Sequence, residues 1–218
     1  MTDKDLEKAY NLTFNNAKEL IEEADGLRIF ERYPRAYTLY QLTIEEIGKC
    51  NIIYSAILDF YMGTTIDNNY LKKRGFFDHK EKTKSSLSSE LIAIKSFEKH
   101  IGKETNLSQK VVDDYNNVEE INNKKNQSLY VGLIGDNFFA PSSMITKEMV
   151  DGIFMTAHIR WKATEPQLQP LETMKVIAEG VKDLLENPEK VVELLKSSFT
   201  STCEIFSYIL HIPQNTLV

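Results

Sequence analysis

Apolar residues recur at three- and four-residue steps along nearly the whole chain, and no sustained period-two alternation of β-branched residues interrupts them. This periodicity confines the chain to helices packed on helices, an all-α fold. Six or seven helices are expected. The first runs from Asp3, a suitable N-cap, to about Ile29, with Leu6, Tyr10, Phe14, Ala17, Ile21 and Ala24 on one face. The second starts at Pro34, favoured in a first turn, and ends at Gly63. After a turn-rich Gly63–Asn69, a third is expected from about Phe76 to Gly102, continuing the stripe Leu87, Leu91 and Ile94.

A fourth helix covers Leu107 to Leu129, its stripe reading Leu107, Val111, Asp114, Val118, Ile121, Lys125 and Leu129. Gly132, Gly135, Pro141 and paired serines mark Tyr130–Ile145 as a loop or irregular segment, and as the best internal boundary. Residues 1–140 are therefore read as a helical bundle, and 141–218 as a C-terminal helical extension packing on the same domain. Its helices are expected at Thr146–Ala163, Leu171–Glu186 and Pro188–His211.

A chain of 218 residues can bury roughly 70% of its unfolded surface without a disulfide or metal staple. The two cysteines, Cys50 and Cys203, lie far apart in apolar stretches, which fits a reducing compartment. An acidic N-terminus leading straight into a helix argues against secretion. No apolar run reaches the roughly 18–20 residues of a membrane span, since Asn51, Ser55 and Asp59 break Cys50–Met62. A cytoplasmic location is expected, with no membrane partner.

A net charge of −6 disfavours indiscriminate binding to DNA or other polyanions. One segment runs against that balance: Leu71–Lys84 holds Lys72, Lys73, Arg74, Lys80, Lys82 and Lys84 against only Asp78 and Glu81. The chain has no Walker loop, Rossmann glycines, HExxH, nucleophile elbow or Cys/His zinc spacing, so no cofactor or metal is expected.

Three polar clusters stand out. Leu39, Thr43, Glu46, Cys50, Ile53 and Ile57 share one face of the second helix, so Glu46 should face the interior and need a cation there. Glu45 and Lys49, spaced i,i+4, read as a solvated surface pair. His79, Lys80 and Lys82 open the third helix; Lys80 shares the face of Leu87, Leu91 and Ile94, which points it inward or into a cleft. Cations at a helix N-terminus oppose the macrodipole, and an imidazole beside ammonium groups is suited to acid–base work on a phosphodiester. Lys125, with Asn126 and Tyr130 beside it, sits in the apolar stripe of the fourth helix. Lys125 or Lys80 is the natural counter-charge for Glu46. Glu46 reads equally as half of a structural ion pair or as a functional acid, and His79, Lys80 and Lys82 equally as a solvated basic helix start or as a site; Lys125 alone reads first as a lysine snorkelling at a helix end, and a pairing with Glu46 would join the three clusters into one shared site.

Several motifs taken in order carry a resemblance: Asn16-Ala17 with Leu20 and Ala24, Arg35-Ala36, Glu45-Glu46-Ile47-Gly48-Lys49, Phe77-Asp78-His79-Lys80-Glu81-Lys82 and Leu129-Tyr130-Val131. Over Phe14–Pro141 the chain resembles the AbiV family of abortive-infection proteins, a branch of the HEPN-like helical domains. The resemblance implies a HEPN-like helical bundle that pairs as a homodimer, antiphage defence, and arrest of translation triggered by a phage-encoded activator protein. Many HEPN-like domains are metal-independent ribonucleases with the pattern R-N-x-x-x-H. The corresponding stretch here is Lys125-Asn126-Gln127-Ser128-Leu129-Tyr130, with lysine for arginine and tyrosine for histidine. Lysine lacks the bidentate fork, and tyrosine is a weaker base than imidazole at neutral pH.

In the catalytic form of this expectation the target is RNA, free or in the ribosome. His79 is the acid or base, Lys80, Lys82 and Lys125 hold the phosphate, and Glu46 positions a lysine. Asn126 and Tyr130 add hydrogen bonds. The alternative is a noncatalytic dimeric module that binds a phage protein or the translation machinery.

Overall fold

A computed structural model describes residues 1–103, 105–187 and 189. Among these residues the fold is all-α apart from one small hairpin. Helix α1 (Asp3–Ile29) starts one residue earlier than expected, because Thr2 and Asp5 form a reciprocal capping box. Helix α2 (Tyr33–Tyr61) carries Pro34 in its first turn and is followed by Gly63 at φ 98°. Short α3 (Asn68–Lys73), capped by Asp67, begins in the turn-rich Gly63–Asn69 and runs on where no helix was expected.

Helix α4 (His79–Ile101) begins three residues later than expected, since Gly75 at φ 80° turns the chain and Asp78 then accepts from the backbone N–H of Lys80 and Glu81. The expected single helix over Leu107–Leu129 is two, α5 (Leu107–Asn116) and α6 (Val118–Leu129). They meet at Asn117, whose N–H is shared between the carbonyls of Asp113 and Asp114. The segment expected to be irregular holds an antiparallel hairpin, β1 (Gly132–Ile134) with β2 (Asn137–Phe139), turning at Gly135-Asp136. After α7 (Pro141–Met144) come α8 (Lys147–Thr164) and α9 (Leu171–Glu186). The last expected helix, Pro188–His211, lies outside the described residues, as does Cys203.

Helix α2 is the axis of the fold, in contact with α1, α4, α6, α8 and α9. One apolar core joins its C-terminal half to α1 and α9 through Leu6, Tyr10, Ile53, Ile57, Met174 and Ala178. A second joins its N-terminal half to α1 and α8 through Ile21, Ala24, Tyr40, Val150 and Ala157. Trp161 packs at the margin of that core and stacks on Phe14. A third cluster lies between α4 and α5, where Leu87 and Ile94 meet Val111. No helix among the described residues is long and apolar enough to cross a membrane.

Candidate functional site

The side of α2 that faces α4 and α6 is polar. Thr38, Gln41, Glu45, Gly48 and Asn51 recur there at three- and four-residue steps, and all are buried. Gly48 sets the distance of closest approach. A Cβ built on it would lie 1.8 Å from the Lys82 carbonyl oxygen, so α4 rests directly on the α2 backbone. That contact puts Lys82 beside Glu45, one turn away on α2. Asn51 reinforces it by donating to the Ser85 carbonyl at 2.7 Å.

Helix α6 approaches α2 through the hydroxyls of Thr38 and Ser128, 2.8 Å apart. Arg35 also donates to the exposed Leu129 carbonyl at the end of α6. This docking delivers Lys125 to the same carboxylate. Glu45 Oε1 receives Lys125 Nζ at 2.7 Å, and Oε2 receives His79 Nδ1 at 2.5 Å with Lys82 Nζ at 3.2 Å. Three helices thus converge on one buried carboxylate.

Burial raises the proton affinity of Glu45, but the hydrogen bonds from Lys125 and His79 and the charges of Lys125 and Lys82 outweigh it, holding the carboxyl below its ordinary range. Its side chain is 3% exposed, and those of Lys82 and Lys125 are 7% and 10%. His79 differs, with 58% of its side chain exposed. A neutral imidazole that donates Nδ1–H to Glu45 would present Nε2 as a lone pair, the tautomer a general base requires. The buried carboxylate therefore fixes the orientation of an otherwise exposed ring.

A second polar node adjoins the first along α4. Gln41 Nε2 donates to Thr83 Oγ1, which donates to the His79 carbonyl. One turn on, Ser86 Oγ donates to the Thr83 carbonyl and accepts from Arg160 Nη1. The Arg160 guanidinium, 2% exposed, also grips Glu90 at 2.7 and 2.8 Å. Burial pushes the Asp114 carboxyl up, and Arg160 partly opposes it.

The expected site residues separate. Lys125 and Lys82 point inward and His79 joins them. Glu46 does not: it is half-buried and pairs with Lys49 at 2.6 Å, while Glu45, expected on the surface, occupies the interior. The reason is that α2 is apolar almost all the way round, so the Leu39–Ile57 stripe does not fix which side carries the polar contacts. Lys80 does not point inward either. It lies on the Leu87–Ile94 face, but that face is turned to α5 and α6, and Lys80 pairs with Glu119 at the half-exposed start of α6. Asn126 and Tyr130 are exposed and make no contact with Glu45.

Sequence reasoning did not single out the pairing of Arg160 with Glu90. A signal was present, because Val150, Ile153, Ala157, Arg160 and Thr164 alternate three- and four-residue steps and are all buried. A shallow apolar recess lies elsewhere, lined by Gln127, Tyr130, Leu133, Ile134, Phe139 and Met144. Above it the hairpin exposes Val131, Leu133, Ile134 and Phe138. Among the described residues no group of His, Cys, Asp and Glu is arranged to hold a metal ion.

A family model described as AbiV, of the HEPN type, matches residues 5–162. The match takes in both polar nodes and reaches into the last turn of α8. No curated protein and no solved structure matches the chain.

Proposed function

The chain belongs to the AbiV family, HEPN-type proteins of abortive infection, and from that footing we propose that it is a cytoplasmic antiphage effector that stops translation when a phage-encoded factor engages it. Its working centre is the Glu45 cluster, and its reaction is metal-independent cleavage of RNA of the translation machinery. The observation that carries this reading is the Glu45–His79 pair: a buried carboxylate holds Nδ1 and leaves Nε2 at the surface.

In this mechanism His79 Nε2 takes the proton of a ribose 2′-hydroxyl. The resulting alkoxide attacks the neighbouring phosphorus, the P–O5′ bond breaks, and the departing oxygen collects a proton from solvent. A cyclic phosphate and a 5′-hydroxyl remain. Two ammonium groups against one carboxylate leave the centre with excess positive charge, which favours the phosphorane in a weakly solvated setting. Lys82 and Lys125 act through that field and through Glu45 rather than by touching phosphate. Glu45 is a positioning residue.

A second reading has its own support. Lys82 and Lys125 are buried and committed to Glu45, and Asn126 and Tyr130 stand apart, as in a noncatalytic module whose charges fix helix register. The exposed apolar hairpin supports a protein partner under either reading, the phage factor or a second copy in a homodimer. Cell-free translation separates the two. With phage lysate added, wild type is expected to arrest synthesis and leave cut RNA with cyclic phosphate ends, and His79→Gln to do neither. Arrest by His79→Gln with all RNA intact would establish the noncatalytic reading instead.

A further inference from the structure

The turn that presents His79 also presents an aromatic ring. Between α3 and α4 the backbone is tied by bonds from Arg74 N–H to the Tyr70 carbonyl, Gly75 to Lys72, Phe76 to Leu71 and Asp78 to Gly75. Gly75 is locked as well as bent, since a Cβ there would lie 2.3 Å from the Glu81 Cβ. Of the two phenylalanines on this turn, Phe76 packs against the apolar core under Lys49, while Phe77 meets the Phe76 ring edge-on at 5.1 Å between centroids and is still 62% exposed.

Phe77 stands just before the capping residue of α4, where an apolar side chain ordinarily packs against the fourth residue of the helix. Here that fourth residue is Lys82, which is buried and turned to Glu45. The staple has no second half. Phe77 is therefore held at the surface by a rigid turn, two residues from the exposed imidazole, with no apolar partner of its own on α4. Before it, Lys72 and Lys73 end α3, exposed and in no ion pair among the described residues. An aromatic face flanked by uncommitted cations is the arrangement that captures an unpaired base and its phosphates.

We propose that Phe77 is a stacking platform for one unpaired nucleotide of the RNA substrate, with Lys72 and Lys73 on the adjoining backbone. The site therefore takes single-stranded loops rather than duplex. This rests on the RNA-directed reading above and names the substrate class for that site. A base laid on Phe77 brings its own or the next ribose toward His79, so recognition and chemistry share one turn.

The experiment uses the full chain carrying His79→Gln, so that nothing is cut. It is titrated against a short single-stranded RNA with one 2-aminopurine, whose emission falls on stacking, and against the same strand annealed to its complement. The single strand is expected to bind more tightly and to be quenched. Phe77→Ala and Phe77→Leu should each weaken binding between about fivefold and a hundredfold and abolish the quench, whereas Phe77→Trp keeps both. Lys72→Glu with Lys73→Glu should lower the slope of log K against log salt by roughly 1.4. Equal binding of duplex, or full affinity and quench in Phe77→Leu, overturns the proposal. So does a Phe77→Ala chain that keeps its RNA affinity but no longer responds to phage lysate, which would make Phe77 a protein contact. If Phe77→Ala binds RNA normally while His79→Gln still abolishes arrest, the platform falls and the proposed function stands. If the strand stacks on Phe77 but wild type never cuts RNA, the reverse holds.

Discussion

Toward α1 and α9, helix α2 offers Ile53 and Ile57 to Leu6, Tyr10, Met174 and Ala178; toward α4 and α6 it offers Thr38 to Ser128, Gln41 to Thr83, Asn51 to the Ser85 carbonyl, and Glu45 to His79, Lys82 and Lys125. The first flank gains from removing apolar area from water, about 25 cal/mol per Å², and accepts many side chains of similar volume. On the second, desolvation of three charged groups offsets much of the attraction between them, so net stability there is small while the cost of a missing partner is large. One helix can thus keep the fold with one side and hold polar groups in register with the other.

Removing one charge from the polar flank, and then all of them, should separate the two flanks most strongly. Glu45→Ala should cost about 3–5 kcal/mol in urea unfolding, because two ammonium groups lose their buried partner. Replacing Glu45, Lys82 and Lys125 together by methionine should recover that loss to within about 1 kcal/mol, or exceed wild type, yet give no translation arrest. A triple variant as unstable as Glu45→Ala would mean that the polar flank stabilises the fold as the apolar one does. Ile57→Ala, by contrast, should cost about 2–5 kcal/mol with no such rescue.

Acid separates the flanks in another way. Because the Glu45 carboxyl titrates below its ordinary range when folded, its contribution is present above the unfolded value and is lost as pH falls through the folded one. Lys125→Met should therefore make wild type and variant differ most near neutral pH and converge in strong acid, followed by circular dichroism. Convergence only at high pH would reverse the sign and refute the assignment.

Glycines give a smaller and opposite pair. Gly48→Ala should destabilise by about 1–3 kcal/mol, since the Lys82 carbonyl must retreat, while Gly26→Ala in α1, with nothing within 4 Å, should stabilise by about 0.5–1 kcal/mol. Thermal unfolding of the two variants measures both signs. The smallest effect is expected at the rim, where Lys80→Ala removes a half-exposed pair with Glu119 and should change stability by no more than about 1 kcal/mol.

The helices were legible because each buried stripe repeats at three and four residues over several turns, as in Leu6 to Ala24 of α1. What periodicity could not fix was phase. On α2 apolar residues surround the polar stripe, so Glu45 and Glu46, one residue and about 100° apart, compete for the interior, and only packing against Lys82 and Lys125 decides. Helix α4 buries two faces, one apolar toward α5 and one polar toward α2 and α8, and reading the first as the inward face misdirected Lys80. The break at Asn117 rests on adjacent weak helix formers, Asn116 and Asn117, whose effect is too small to read without the neighbouring structure. The Gly135-Asp136 turn carried a hairpin signal, but three-residue strands are too short to show alternation.

The contact at Gly48 has a consequence for how this protein can vary. In a scan of every substitution along α2, a position such as Leu39 should accept several letters, because it is only partly buried and its neighbours can repack. Position 48 should accept one. Any larger residue would reach Lys82 through main chain, which no second mutation can shrink. The tightest bottleneck in the sequence would then fall on a residue with no side chain, three positions from the carboxylate it helps to hold in place.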